Sequence, residues 1–318
     1  MQKISLFLPI LMLFSCSRSK NSPAPTPPLS SDYIVSTYAD LTVQNGLPIG
    51  VAEDPSGNLY ACDVKSGAVW KITPDSNISM ITTIYGETSD LVCDKQGNVY
   101  VLAFSQRSII KITPAGIVTT LAGGNNSLGV QYDGQGSAAG FKVPNGLDID
   151  STGTLYVADF QSIRKVDQDG QVTTLYKDTT SNTQFLGVTI DSYHNIYYSN
   201  GGEIWRLDTL GNRTFVAGQH LLASSSVDGT GSSASFEAIY KLRMDKNGNF
   251  WAGDYAKIRM ITPSGVVTTI AGTGTAGFAD GPGNIAEFAF ANGLAIDQDG
   301  TVFVADATNK KIRKIVHK

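Results

Sequence analysis

The chain has 318 residues, 42% of them hydrophobic, which suits a globular body with a substantial core. With 24 Lys and Arg against 28 Asp and Glu its formal charge is −4, which excludes the basic surface of a general nucleic-acid binder.

The N-terminus reads Lys3, then an apolar stretch from Ile4 to Phe14, then Ser15-Cys16, the layout of a secretory signal. That stretch is too short for a mature membrane-spanning helix, which needs about 20 residues. Leu13-Phe14-Ser15-Cys16 resembles a bacterial lipobox, which implies a signal peptide over residues 1–15 and acylation of Cys16. Pro23, Pro25, Pro27 and Pro28, set among Ser, Asn and Thr, make residues 16–32 an extended, solvated tether. The expected address is the cell envelope, with the body held at a membrane by lipid alone. Residue 17 is not Asp, which by analogy with sorting rules favours the outer membrane, facing the periplasm or the cell surface.

From residue 33 onward one pattern recurs. An apolar run closing on Asp appears six times, as GVAED, DLVCD, GLDID, GVTID, KLRMD and GLAID. An aromatic run follows each (NLYACD, TLYVAD, TVFVAD), then a run such as VWKI, IRKV or IRKI, then a Val/Thr run such as VTTLAG or VTTIAG. These short runs are β-branched or aromatic and are bounded by turn residues such as Ser56-Gly57-Asn58 and Asp169-Gly170, so each predicts a strand. Four strands close in sequence form an antiparallel sheet, and a single sheet cannot bury both faces, so the copies must stack. The sixth copy lacks its fourth strand at the C-terminal end, while Ile34–Ala39 carries that pattern. This segment is expected to pair beside Ile312–Ile315 and close a ring, removing the open edges of a linear stack.

The consensus resembles the NHL repeat over residues 33–318. The resemblance implies an all-β, six-bladed β-propeller of four-stranded blades, with the N-terminal strand closing the ring. It leaves function open, because proteins of this kind include protein-binding modules, RNA binders, extracellular sensors and a few lyases.

If the first strand of each blade runs from top to bottom, second-to-third loops and blade-to-blade connections lie on top. Three connections are long, and each carries D-G-x-G-x-x-A-x-F: Asp133 to Phe141, Asp228 to Phe236 and Asp280 to Phe288. Their phenylalanines are expected to tuck into the ring and their loops to rise around the central opening. Asp63, Asp159, Asn200, Asp254 and Asp306 close second strands, where a side-chain oxygen suits a turn; blade 2 has Ala103 there. Phe160 and Tyr255, which follow two of them, could offer an aromatic surface to a ligand.

Departures from the repeat are the candidate site. Glu53 replaces an apolar residue in the innermost strand, and Asp148 and Arg243 stand where Ala52, Val92, Thr189 and Ala295 occur elsewhere. Charged groups near a propeller axis can fix a polar ligand. His194, His220 and His317 fall at unrelated positions, which argues against a three-histidine zinc site. Cys62 and Cys93 are expected as free thiols, with a disulfide between neighbouring blades as the alternative. The reading that results is a monomeric binding or scaffold protein without a cofactor, taking a protein, peptide or glycan on its top face. The alternative is a lactonase- or lyase-like enzyme holding a divalent cation through Glu53 and Asp148.

Overall fold

The computed structural model describes residues 30–124, 129–180, 183–220 and 226–318. Cys16 and the tether before Ser30 lie outside the described residues.

Six antiparallel sheets are arranged as six blades. Their innermost strands are Pro48–Glu53, Thr88–Cys93, Pro144–Ile149, Val188–Ile190, Ile239–Met244 and Ala291–Ile296 for blades 1 to 6. Alternation within the strands sends apolar side chains to both faces of each sheet, and each junction between blades has its own core. Val51, Trp70, Phe303 and Ile312 fill the junction of blades 6 and 1; Leu147, Val157, Tyr100 and Leu102 fill that of blades 2 and 3.

Ring closure follows the expected register. The strand Tyr33–Asp40 runs antiparallel to Lys311–His317, pairing Ile34 with Val316 and Val35 with Ile315, with a bulge between Thr37 and Ala39. The sixth blade is thus made from both ends of the described chain.

Blades 3, 5 and 6 differ from the expected four strands, since each gains a two-residue fifth strand on its outer edge. Gly134–Gln135 pairs with Gln171–Lys177, Gly229–Thr230 with Val266–Ala271, and Gly281–Pro282 with Tyr33–Asp40. These pieces come from the D-G-x-G-x-x-A-x-F loops. The loops therefore do not simply rise around the opening; their motifs reach outward and cover the rims of their blades.

Near the axis the inner strands approach closely. A Cβ on Gly146 would stand 2.3 Å from the carbonyl oxygen of Leu186, and one on Gly293 would stand 2.6 Å from that of Ile49. Glycine at this position lets neighbouring blades close the ring. Register shifts at the top of the same strands, as between Thr88 and Asp90 or Ile239 and Leu242, free residues there from the ladder.

Candidate functional site

The carboxylates that close the second strands belong to the scaffold. Asp159 Oδ1 accepts the backbone N–H groups of Lys142 and Val143 at 2.8 Å, so it pins the connection entering its own blade. Asp254 does the same for Glu237 and Ala238, and Asp306 for Ala289 and Phe290.

In blades 3, 5 and 6 the other oxygen of this Asp meets a buried arginine from the third strand. Arg164 donates to Asp159 and Asp133, both at 3.0 Å, and to the carbonyls of Gly140 and Tyr132. Arg259 does the same with Asp254 and Asp228, and Arg313 with Asp306 and Asp280. Phe141, Phe236 and Phe288 are fully buried, 4.9 to 5.4 Å from the guanidinium carbons above them. The first Asp and last Phe of the motif therefore close a clamp around an arginine with four hydrogen bonds. Sequence reasoning missed this arginine, although the signal was present. Arg164, Arg259 and Arg313 stand only in the blades that carry the motif, where the other three have Trp70, Ile110 and Trp205.

At the axis, two blades break the glycine rule with charge. Asp90 in blade 2 and Lys241 in blade 5 occupy the positions of Gly50, Gly146, Gly187 and Gly293. These two blades face each other across the ring, and Lys241 Nζ lies 3.9 Å from Asp90 Oδ2 while Arg243 donates to Asp90 Oδ1 at 2.9 Å. Asp148 joins them electrostatically. Burial pushes its carboxyl upward, opposed by Arg243 and by bonds from Thr189 Oγ1 (2.8 Å) and the Ile190 N–H (3.1 Å). Burial likewise pulls Lys241 downward, with Asp90 opposing it. Two acids and two bases balance in charge and join opposite sides of the ring.

Of the residues singled out from sequence, Asp148 and Arg243 are thus brought together, while Glu53 is placed elsewhere. Glu53 sits at the bottom end of its strand, where burial, then Asp297, Asp54 and Asp299, raise its carboxyl. Its charged neighbours are acids, and those of Asp148 include Arg243, so the two do not share surroundings.

Phe160 and Tyr255 occupy tight top turns in left-handed backbone, at φ 55° and 58°. Lys142 Nζ covers the Phe160 ring at 3.6 Å. Tyr255 is 40% exposed and stands edge-on to Phe290, which also meets Tyr240 at 5.6 Å. Tyr240 precedes Lys241 at the register shift, so this trio leads from the top surface down to the axial charges. Two residues after Phe290, Asn292 is buried with its Oδ1 unpartnered.

His194 lies 3.9 Å from Asp150 in a bottom turn, His220 lies 3.7 Å from Glu203 on top of blade 4, and His317 packs edge-on to Tyr33. They do not converge. Among the described residues no group of three or more His, Cys, Asp or Glu is arranged to hold a metal ion. Cys62 and Cys93 are both free, and burial pushes the Cys62 thiol up to about 12 and the Cys93 thiol well above its ordinary range. Among the described residues no helix is long and apolar enough to cross a membrane.

No family model matches the chain. Among curated proteins it is 29% identical over 136 residues to Teneurin-1 of Caenorhabditis elegans, an alignment covering 38% of this chain and 5% of that one. Of solved structures, an auxiliary nutrient binding protein from Bacteroides thetaiotaomicron matches with a TM-score of 0.72 at 19% identity, covering 90% of this chain and 77% of its own. A virginiamycin B lyase from Staphylococcus aureus, with quinupristin, matches with a TM-score of 0.63 at 14% identity, covering 89% and 99%. The likeness is one of fold. It places the chain among β-propellers.

Proposed function

We propose that this protein is an exported, lipid-anchored binding protein of NHL type that holds a glycan on its top face. The observation that carries the reading is the Tyr240–Phe290–Tyr255 trio, which opens beside a charge-balanced axis, with the unpartnered Asn292 carbonyl two residues after Phe290. Aromatic rings offer flat apolar area to the C–H face of a sugar, and nearby amides and charges take its hydroxyls. The nutrient-binding description of one structural neighbour supports a captured ligand. Lipidation at Cys16 rests on the Leu13–Cys16 sequence and retention in the outer membrane on residue 17 not being Asp, and the body acts as a monomer that presents its top face.

Calorimetric titration of the body with a panel of oligosaccharides tests this. A bound glycan should lose about tenfold in affinity in Tyr240→Ala and in Tyr255→Ala while the fold persists. Capture of a peptide or protein instead of a glycan, or binding indifferent to both tyrosines, would refute it. Cys16→Ala should release the body from membranes, and unchanged fractionation would refute the anchor.

The enzyme reading, a divalent-cation lactonase or lyase, draws support from the lyase among the structural neighbours, but Glu53 and Asp148 do not share surroundings, so a cation would have to sit at one of them alone. It requires stoichiometric metal that is lost in Glu53→Gln or Asp148→Asn, together with lactone-opening or eliminating activity.

A further inference from the structure

On the bottom face, opposite the proposed glycan site, blades 4 and 5 leave a groove of about 740 Å³. Arg206 lines its blade 4 wall, and Met244 with the turn around Lys246 lines its blade 5 wall. In the third strands of blades 1, 2, 3 and 6 the position of Arg206 is lysine, namely Lys71, Lys111, Lys165 and Lys314. In blades 1 and 2 that ammonium rests over a tyrosine ring, 5.7 and 5.5 Å from its centre. A guanidinium in its place supplies a planar fork of donors suited to a carboxylate.

This fork is held but not satisfied. Arg206 Nη2 donates to Asn195 Oδ1 at 2.9 Å, and Asn195 is fixed in turn by donating to Asp191 Oδ2 at 2.7 Å. No other acceptor takes a hydrogen bond from Arg206 among the described residues. Its Nε is buried and unpartnered, as it is in Arg164, Arg259 and Arg313, so what sets Arg206 apart is the unused capacity of its terminal nitrogens. Each clamp arginine, by contrast, makes four bonds, as Arg164 does. The aspartates of the groove are not waiting for Arg206 either. Asp191 already accepts from the Tyr193 and Asn195 N–H groups, the Asn195 amide and Tyr197 Oη. Asp245 accepts from the Asn247 and Asn249 N–H groups, the Asn249 amide and Trp251 Nε1. Their charges remain nearby and disfavour a dianion, while exposed Tyr193 and Asn247 supply hydroxyl and amide groups at the rim.

We infer that this groove binds an acidic sugar, its single carboxylate paired with the open side of Arg206 and its hydroxyls held at the rim. The site is separate from the Tyr240–Tyr255 mouth and stands or falls independently of it.

Titration of the full body with galacturonate, galactose and inorganic phosphate is the test. Galacturonate should bind at least about tenfold more tightly than galactose or phosphate, and Arg206→Gln should remove about tenfold of that affinity. Arg206→Lys, which restores the residue of four other blades, should keep the melting temperature and lose the preference for galacturonate in part. Tyr255→Ala should leave galacturonate binding unchanged. Failure of galacturonate to bind, equal binding of the two sugars, phosphate binding as tightly as galacturonate, unchanged affinity in Arg206→Gln, or a loss in Tyr255→Ala would each overturn the proposal.

Discussion

Blades 3, 5 and 6 carry the D-G-x-G-x-x-A-x-F loop, a buried arginine and a fifth strand, whereas among the described residues blades 1, 2 and 4 have none of the three. The first group spends its long insertions on itself, because Asp133, Asp228 and Asp280 are anchored on Arg164, Arg259 and Arg313. In the second group the equivalent space goes to side chains such as Trp70 and Trp205. The difference teaches that a long, repeated loop need not be a binding loop. What recurs in three blades is scaffold, and what occurs once, such as Arg206 or the Asp90–Lys241 pair, is where chemistry is to be sought.

The comparison is broken most severely at blade 6, which depends on both its clamp and its borrowed strand. Removing Tyr33–Asp40 should abolish cooperative unfolding, since it strips the partner of Lys311–His317 and of the fifth strand Gly281–Pro282. A truncated body with an unchanged denaturation midpoint would show that closure contributes nothing.

The next largest effect separates the two groups of blades directly. Arg259→Met removes one partner from two carboxylates and should cost about 3–5 kcal/mol, because Asp254 is left buried without its cation. Chemical denaturation reads this, and a loss under about 1 kcal/mol would mean that the clamp is ornamental to stability.

Much of this was legible in the sequence. The closing strand was readable because Ile34–Ala39 keeps the fourth-strand pattern, and the six inner strands because each ends on the same Asp turn. The fifth strands were not, since two residues such as Gly134–Gln135 have no period to recognise. At the axis Asp148 and Arg243 were readable as departures from an apolar position. Their meeting with Asp90 was not, because Arg243 and Asp90 are 153 residues apart and only the ring brings opposite blades together. Glu53 is the same kind of departure, yet its strand end faces other acids, so similarity of signal did not mean a shared site.

A smaller effect sharpens the view that the axial charges tie opposite blades. Lys241→Met and Asp90→Asn should each cost about 2 kcal/mol, as loss of a charged hydrogen-bonding partner does. The double variant should cost less than the two together, with a coupling of about 1 kcal/mol. Strict additivity would mean that Lys241 and Asp90 do not interact across the ring.

The smallest effect concerns two adjacent carboxylates with opposite pH behaviour. Burial, reinforced by Asp297, Asp54 and Asp299, raises Glu53 above its ordinary value. Its ionisation therefore opposes folding, and that penalty is complete above the raised folded value and absent below the unfolded value of about 4.3. Asp54 is the reverse. Although burial pushes it up, bonds from Asn58, Ser56 and Tyr60 outweigh that and lower it, so its stabilisation is present above the unfolded value and lost as pH falls through the folded one. Glu53→Gln should then raise the melting temperature at about pH 8, and the gain should shrink on acidification and vanish below about pH 4. Asp54→Asn should lower it at about pH 8, with a deficit that narrows over the more acid part of the same titration. Melting curves of the two variants against pH should therefore approach the wild-type curve from opposite sides. A Glu53→Gln curve that runs parallel to wild type throughout would show that its neighbouring acids do not perturb it.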